Sequence, residues 1–175
     1  MGRAAKPSPQ VGLPGSTFLH GDQMKGSILR ILIREAKAED LQGVLRVYRE
    51  AGLDTCQNLS QSESLAILKR IEQYPNYKVF VAEIDGQVVG TFALLIIDNL
   101  GHGGARSGLV EAVGVLPSFQ GKGIGKEMMQ SAMNRCKDHG CYKMMLSSNE
   151  TRTNAHKFYE SLGFTRHGFS YRIGL

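Results

Sequence analysis

The spacing of hydrophobic positions changes several times along this chain, and each change predicts an element. Residues 29–34 read as a strand, with Ile31 and Ile33 on one face and Leu32 on the other. Over 38–50, Leu41, Val44, Leu45 and Tyr48 recur at helical spacing, and Gly52 follows as a stop. Ser60 and Glu63 make a capping box ahead of Leu65, Ile67, Leu68 and Ile71, so a second helix is expected to end before Pro75. The period then falls to two. Residues 78–84 and 87–97 read as strands joined at Asp85-Gly86, a hairpin signature. A loop follows over 98–106, then a strand over 109–115. Residues 123–139 fit a helix with Met128, Met129, Ala132 and Met133 inward and Gly140 as its stop. A strand over 142–146, a helix over 153–162 capped by Gly163, and one or two closing strands over 164–173 complete the pattern. Three strands in succession followed by strand–helix pairs predict an α/β (α+β) fold: a mixed, mostly antiparallel central sheet flanked by helices.

The first 28 residues break the pattern. Pro7, Pro9, Pro14 and scattered glycines carry no apolar periodicity, so 1–28 reads as a flexible tail and 29–175 as a single domain. No apolar run approaches the ~20 residues of a membrane helix, and no secretory block opens the chain, which makes the cytoplasm the expected location. Three cysteines are too few for a disulfide framework. Cys136, His139 and Cys141 fit no zinc spacing, so no metal is expected. The formal net charge of +5 includes no Lys/Arg run, and no nucleic-acid partner is expected.

The most informative stretch runs from Val113 through Gln120-Gly121-Lys122-Gly123-Ile124-Gly125-Lys126, where a strand gives way to a helix through a glycine-spaced turn. Alternate glycines let backbone approach a ligand. Free N–H groups at a helix start cradle phosphate oxygens, and Lys122 and Lys126 add positive charge. A phosphate-bearing ligand is therefore expected. The P-loop pattern fails because Glu127 follows Gly125-Lys126. The dinucleotide fingerprint fails because the turn is G-x-G-x-G and comes late, after an antiparallel meander.

Gln120-x-x-Gly123-x-Gly125 resembles the Q/R-x-x-G-x-G/A motif of the GCN5-related N-acetyltransferase (GNAT) superfamily. Downstream, Ala155-His156-Lys157-Phe158-Tyr159-Glu160-Ser161-Leu162-Gly163-Phe164 resembles that family's second motif, A-x-x-F/L-Y-E-K-L-G-F. The resemblance covers roughly residues 30–175 and implies the GNAT (acyl-CoA N-acyltransferase) fold, with acetyl-CoA as cosubstrate. It places the pyrophosphate on Gln120, Gly121, Lys122, Gly123, Ile124, Gly125 and Lys126. Backbone groups of Val113 and Val115 would pair with the pantetheine arm, and Asn149, Arg152, Ala155 and Phe158 would complete the cofactor contacts. Many members carry Asn seven residues before the tyrosine; here that position is Arg152, and Asn149 lies three residues earlier. This local pattern resembles aminoalkylphosphonate acetyltransferases and implies a small amine as acceptor. Family members are often dimers, which makes a homodimer an expected assembly.

Acetyl transfer requires a base to free the attacking amine, whose ordinary pKa is ~10.4, and an acid to protonate a thiolate leaving group. Glu111, between Val110 and Ala112, is the candidate base and is expected to be desolvated in its apolar strand. Strict alternation puts Leu109, Glu111, Val113 and Val115 on one face. By the resemblance, Tyr159 is the candidate acid. The Val113 N–H is a candidate oxyanion donor. His156, His102, Arg106, Tyr171 and Arg172 are further polar side chains near these segments, each with an ordinary solvated or packed alternative. Ser147 has no base beside it in sequence. Three functions remain open from sequence: acetylation of a small amine, acetylation of a protein N-terminus or lysine, and non-catalytic binding of acetyl-CoA.

Overall fold

The computed structural model describes residues 30–53 and 59–174. The expected tail, Leu29 and Cys56 lie outside the described residues. The elements are β1 (Leu32–Glu35), α1 (Leu41–Glu50), α2 (Gln61–Glu72), β2 (Tyr77–Ile84), β3 (Gln87–Ile97), β4 (Arg106–Val115), α3 (Ile124–Asp138), β5 (Cys141–Leu146) and α4 (Thr153–Ser161). The five strands lie in the order β1-β2-β3-β4-β5. The first three junctions are antiparallel and β4–β5 is parallel.

Local chemistry sets the boundaries. The Ser60 hydroxyl accepts from the Glu63 N–H at 3.2 Å, while the Ser60 N–H donates to the Glu63 carboxylate at 2.8 Å, so α2 begins on a closed capping box. Asp85 (φ 49°) and Gly86 (φ 77°) both take left-handed backbone, the geometry of a two-residue hairpin whose twist matches its strands. The start of α1 is pinned by Arg34. Its guanidinium donates to both Asp40 oxygens, at 2.6 and 2.8 Å, and to Glu83 at 2.6 and 2.9 Å, tying β1, β2 and the helix entry together.

Helices cover both faces of the sheet. Gly114 packs against Val47, Ala51 and Leu53 at the end of α1, whereas Gly90 packs against Met128 and Gly108 against Cys136, both on α3. Between these layers Phe92, Val81, Val89, Val110, Met128 and Met129 are fully buried. Thr91, also buried, donates its hydroxyl to the Phe80 carbonyl at 2.8 Å.

Three expectations change. Leu41 and Val44 of α1 are buried as expected, but Val47 is buried with them while Leu45 and Tyr48 are only half-buried. β4 begins at Arg106, three residues early, where β5 supplies a parallel partner. Residues 164–173 form no strand, although Phe169, Tyr171 and Ile173 keep a period of two. A strand requires a hydrogen-bonded neighbour as well as a pattern, and none lies beside this segment among the described residues.

Candidate active site

The site is built where β4 and β5 part. They pair from Arg106↔Cys141 to Val110↔Leu146, and β4 then runs on through Glu111–Val115 with no β5 beside it. The side of β4 that faced β5 thus presents free backbone groups, which suits an extended ligand added like a strand.

A bulge sits at the point of divergence. On the β3 side, Ala93 opposes Glu111 and Thr91 opposes Gly114, so Ala112 and Val113 together stand opposite Phe92. Ala112 takes φ 50°, left-handed backbone that a non-glycine residue rarely adopts. The extra residue reverses the alternation: Gly108 faces α3 but Gly114, of the same parity, faces α1. Leu109, Glu111, Val113 and Val115 therefore do not share one face. Leu109 and Glu111 lie on the α1 side, Val113 and Val115 on the α3 side. No turn residue in the sequence announces this bulge.

The glycine-spaced turn has the form needed for an anion. Gly121 (φ 75°) and Gly123 (φ 83°) are left-handed, and a side chain at either would point into open space. Gly123 is the N-cap of α3 and no side chain caps the helix, so nothing from the cap occupies the first-turn N–H groups. This cradle fits a pyrophosphate. Gln120 turns back and donates its amide to the Val115 carbonyl at 3.0 Å, bracing the strand–turn junction. The Lys122 ammonium lies 4.8 Å from the centre of the Phe119 ring, and Lys126 is exposed on the first turn of α3 behind buried Ile124.

The second motif closes on the first. Phe158 of α4 rests on Gly125, and Tyr159 beside it is half-buried, its ring 5.2 Å from Phe158 and 5.7 Å from Phe164. Burial pushes the Tyr159 phenol above its ordinary value, with Arg152 opposing the shift in part. A phenol that keeps its proton is suited to donate it. Asn149 accepts from the Thr151 N–H at 3.0 Å and its hydroxyl at 2.8 Å, and the Asn149 carbonyl contacts His156 at 2.9 Å, so this pair shapes the loop entering α4. Arg152 reaches across to the Ala51 carbonyl at 3.3 Å, linking α4 to the end of α1. Ala155 is half-buried on α4.

Glu111 departs from expectation. It is exposed on the α1 side rather than enclosed in an apolar strand. It lies close enough to Tyr77 to reinforce the upward shift that burial gives that phenol. The remaining polar candidates are engaged elsewhere: the His102 ring lies tilted against Tyr142 with centroids 4.4 Å apart, Arg106 pairs with Asp98 at 2.7 Å, and Ser147 meets Ser170 at 3.4 Å. Tyr171 and Arg172 are exposed. Cys136 is buried beside Cys141, and burial pushes its thiol up to about 12. Among the described residues no group of three His, Cys, Asp or Glu side chains could hold a metal.

Similarity to known proteins follows the same geometry. The model of the "Acetyltransferase (GNAT) family" matches residues 38–164, spanning both the glycine turn and the tyrosine helix. The chain belongs to the GNAT family. A glucosamine 6-phosphate N-acetyltransferase of Trypanosoma brucei brucei is 37% identical over 98 residues, 56% of this chain and 65% of that protein. A mycothiol acetyltransferase of Thermomonospora curvata is 36% identical over 90 residues, 51% of this chain and 28% of that protein. The chain thus spans less than two thirds of either relative. Among solved structures, a Trypanosoma brucei acetyltransferase superposes with a TM-score of 0.73 at 29% identity, covering 83% of this chain and 100% of that one. Their names point to amino-sugar and mycothiol acetylation, so the GNAT resemblance stands while its aminoalkylphosphonate refinement gains no support. No described helix is long and apolar enough to cross a membrane.

Proposed function

We propose that this GNAT chain transfers an acetyl group from acetyl-CoA to the primary amine of a small molecule. The observation that carries the reading is the uncapped, glycine-spaced start of α3 beside the β4 segment that β5 abandons. The turn's amides, with Lys122 and Lys126, hold the pyrophosphate. Val113 and Val115 offer backbone groups to the arm that bears the thioester. Gln120 fixes the junction, and Asn149, Arg152, Ala155 and Phe158 form the facing wall.

In the transfer, the neutral amine attacks the thioester carbonyl, the Val113 N–H stabilises the oxyanion, and the carbon–sulfur bond breaks. Tyr159 gives its proton to the departing sulfur. Glu111, exposed on the α1 side, takes the amine's proton through water. The names of the relatives make a phosphorylated amino sugar the first acceptor to test.

A panel of free amines, led by glucosamine 6-phosphate, and of peptides should be assayed for released thiol, with acetyl-CoA binding followed by calorimetry. Turnover with free amines is the expected result. Turnover confined to peptides would move the acceptor to a protein, binding without turnover would leave a sensor, and no binding would end the reading.

A further inference from the structure

We propose that the acceptor amine carries an apolar aryl or alkyl body, which lies across a row formed by Tyr77, Leu95, Leu109 and Met145 while its nitrogen sits at Glu111. The row can be traced through the sheet. Tyr77 pairs with Leu95, Leu95 with Leu109 and Leu109 with Met145, so one position from each of β2, β3, β4 and β5 stands in line on the α1 side. On the opposite face Leu94, Ile96 and Val110 are 3%, 5% and 1% exposed. The four residues of the row are instead half-buried, and none is among the partly buried apolar side chains that pack against the core. α1 stops short of them. It packs on Val88 through Gly43 and, at its end, on Gly114, which pairs with Thr91. Leu95 lies four residues further along β3, ~13 Å at about 3.3 Å per residue.

The row begins where the reaction would take place. Leu109 and Met145 form the penultimate pair before β4 and β5 part, and Glu111 follows on the same face of β4. Resting on the transferase reading above, the thioester carbonyl comes to that fork, and an amine reaches it from the α1 side with its charge on the Glu111 carboxylate. Burial first, and the Glu111 charge second, raise the Tyr77 phenol, so carboxylate and row share one surface. What lies on that surface must suit three aliphatic side chains and a ring. The hydroxyls and phosphate of a phosphorylated sugar would lose water there without replacement hydrogen bonds. A phosphate also calls for Arg or Lys beside it. On this face of β2 to β5 the one basic side chain among the described residues is Lys143, which pairs with Ser107, further from Glu111 than the row itself. Its ammonium lies 5.3 Å from the centre of the Tyr142 ring. An aryl or alkyl group gains by leaving water instead. From β4 to β2 the row spans two strand spacings, about 10 Å, which accommodates a hexyl chain or a phenethyl group.

Steady-state kinetics on the full chain, read as released thiol, compare ethylamine, butylamine, hexylamine and phenethylamine with glucosamine 6-phosphate. Along the alkyl series kcat/KM is expected to rise by up to about fourfold per methylene, the factor for burying one CH2 group. Hexylamine and phenethylamine are expected to exceed glucosamine 6-phosphate. Leu109→Asn keeps the side chain's size and makes it polar. It should raise KM for hexylamine about tenfold, with kcat at saturating amine and KM for acetyl-CoA unchanged. Met145→Gln makes the same change at a second position and decides the matter if Leu109→Asn fails to fold. A flat alkyl series, a preference for glucosamine 6-phosphate, or a folded variant with the wild-type KM for hexylamine would overturn the apolar acceptor and leave acetyl transfer standing. No turnover with any free amine would remove the small-molecule reading, and this acceptor class with it.

Discussion

A methyl group built on Gly125 would come within 3.1 Å of the Phe158 ring, so the first turn of α3 and the middle of α4 meet closely enough that any side chain there would have to displace Phe158. The contact joins the two sequence motifs into one wall. It fixes the glycine turn, proposed to hold the pyrophosphate, relative to Tyr159, the neighbour of Phe158.

Gly125→Leu is therefore expected to push α4 away from the turn. Overpacking of this kind costs about 1–3 kcal/mol. Expressed in binding, each 1.4 kcal/mol is about tenfold, so acetyl-CoA affinity should fall roughly tenfold or more. Calorimetry and a thermal melt on the same sample measure both effects, and undiminished affinity would show that the contact does not shape the site.

Tyr159→Phe removes the proposed proton donor and keeps the ring packing against Phe158 and Phe164. Turnover is expected to drop about 10²-fold with acetyl-CoA affinity nearly unchanged. Because burial holds the phenol above 10.0, the acid limb of the wild-type profile should lie in the alkaline range and vanish in the variant. Equal turnover in the two proteins would remove Tyr159 from the chemistry.

Glu111→Gln tests the base. The amine must lose a proton before attack, and that is hardest at low pH, where the variant's loss of kcat/KM should be greatest. Higher pH supplies neutral amine without help, so the two profiles should converge there. Since Glu111 is exposed and would act through water, the loss is expected to sit near the lower end of general-base effects, about 10²-fold. Parallel profiles across the range would make the carboxylate structural.

Asp40→Asn tests what holds α1 against the sheet. Asp40 is 6% exposed and bonded to Arg34, and the Lys37 N–H also donates to it, at 2.7 Å. The Arg34 bonds first, and the Lys37 N–H second, hold its carboxyl below the ordinary 3.8 despite burial. A depressed folded-state value means that the stabilisation is complete above the unfolded value and is lost as pH falls through the folded one. Removing the charge should cost roughly 2–4 kcal/mol at neutral pH, since it leaves Arg34 with Glu83 alone. Urea titrations at pH 7 and in acid should show the gap between wild type and variant closing below pH ~4. A gap independent of pH would assign the loss to packing.

Much of this fold was legible in the order of residues because the signals involved are local. Ser60 with Glu63 starts a helix by bonds that span three residues, and Asp85-Gly86 turns a hairpin by its own backbone preference. The turn from Gln120 to Lys126 could be read for the same reason, since left-handed glycines and a helix start need no distant partner.

Tertiary structure alone decided what depends on neighbours remote in sequence. The bulge at Ala112 lies where β4 stays paired with β3 and parts from β5; no residue type marks it, and it turns Val113 and Val115 to the face opposite Glu111. Residues 169–173 carry the alternation of a strand without forming one, because a strand takes its hydrogen bonds from a second segment. Chain order determined which stretches could be helix, turn or strand. Packing decided which faces those stretches turn to one another, since facing is a relation between segments and is written in neither alone.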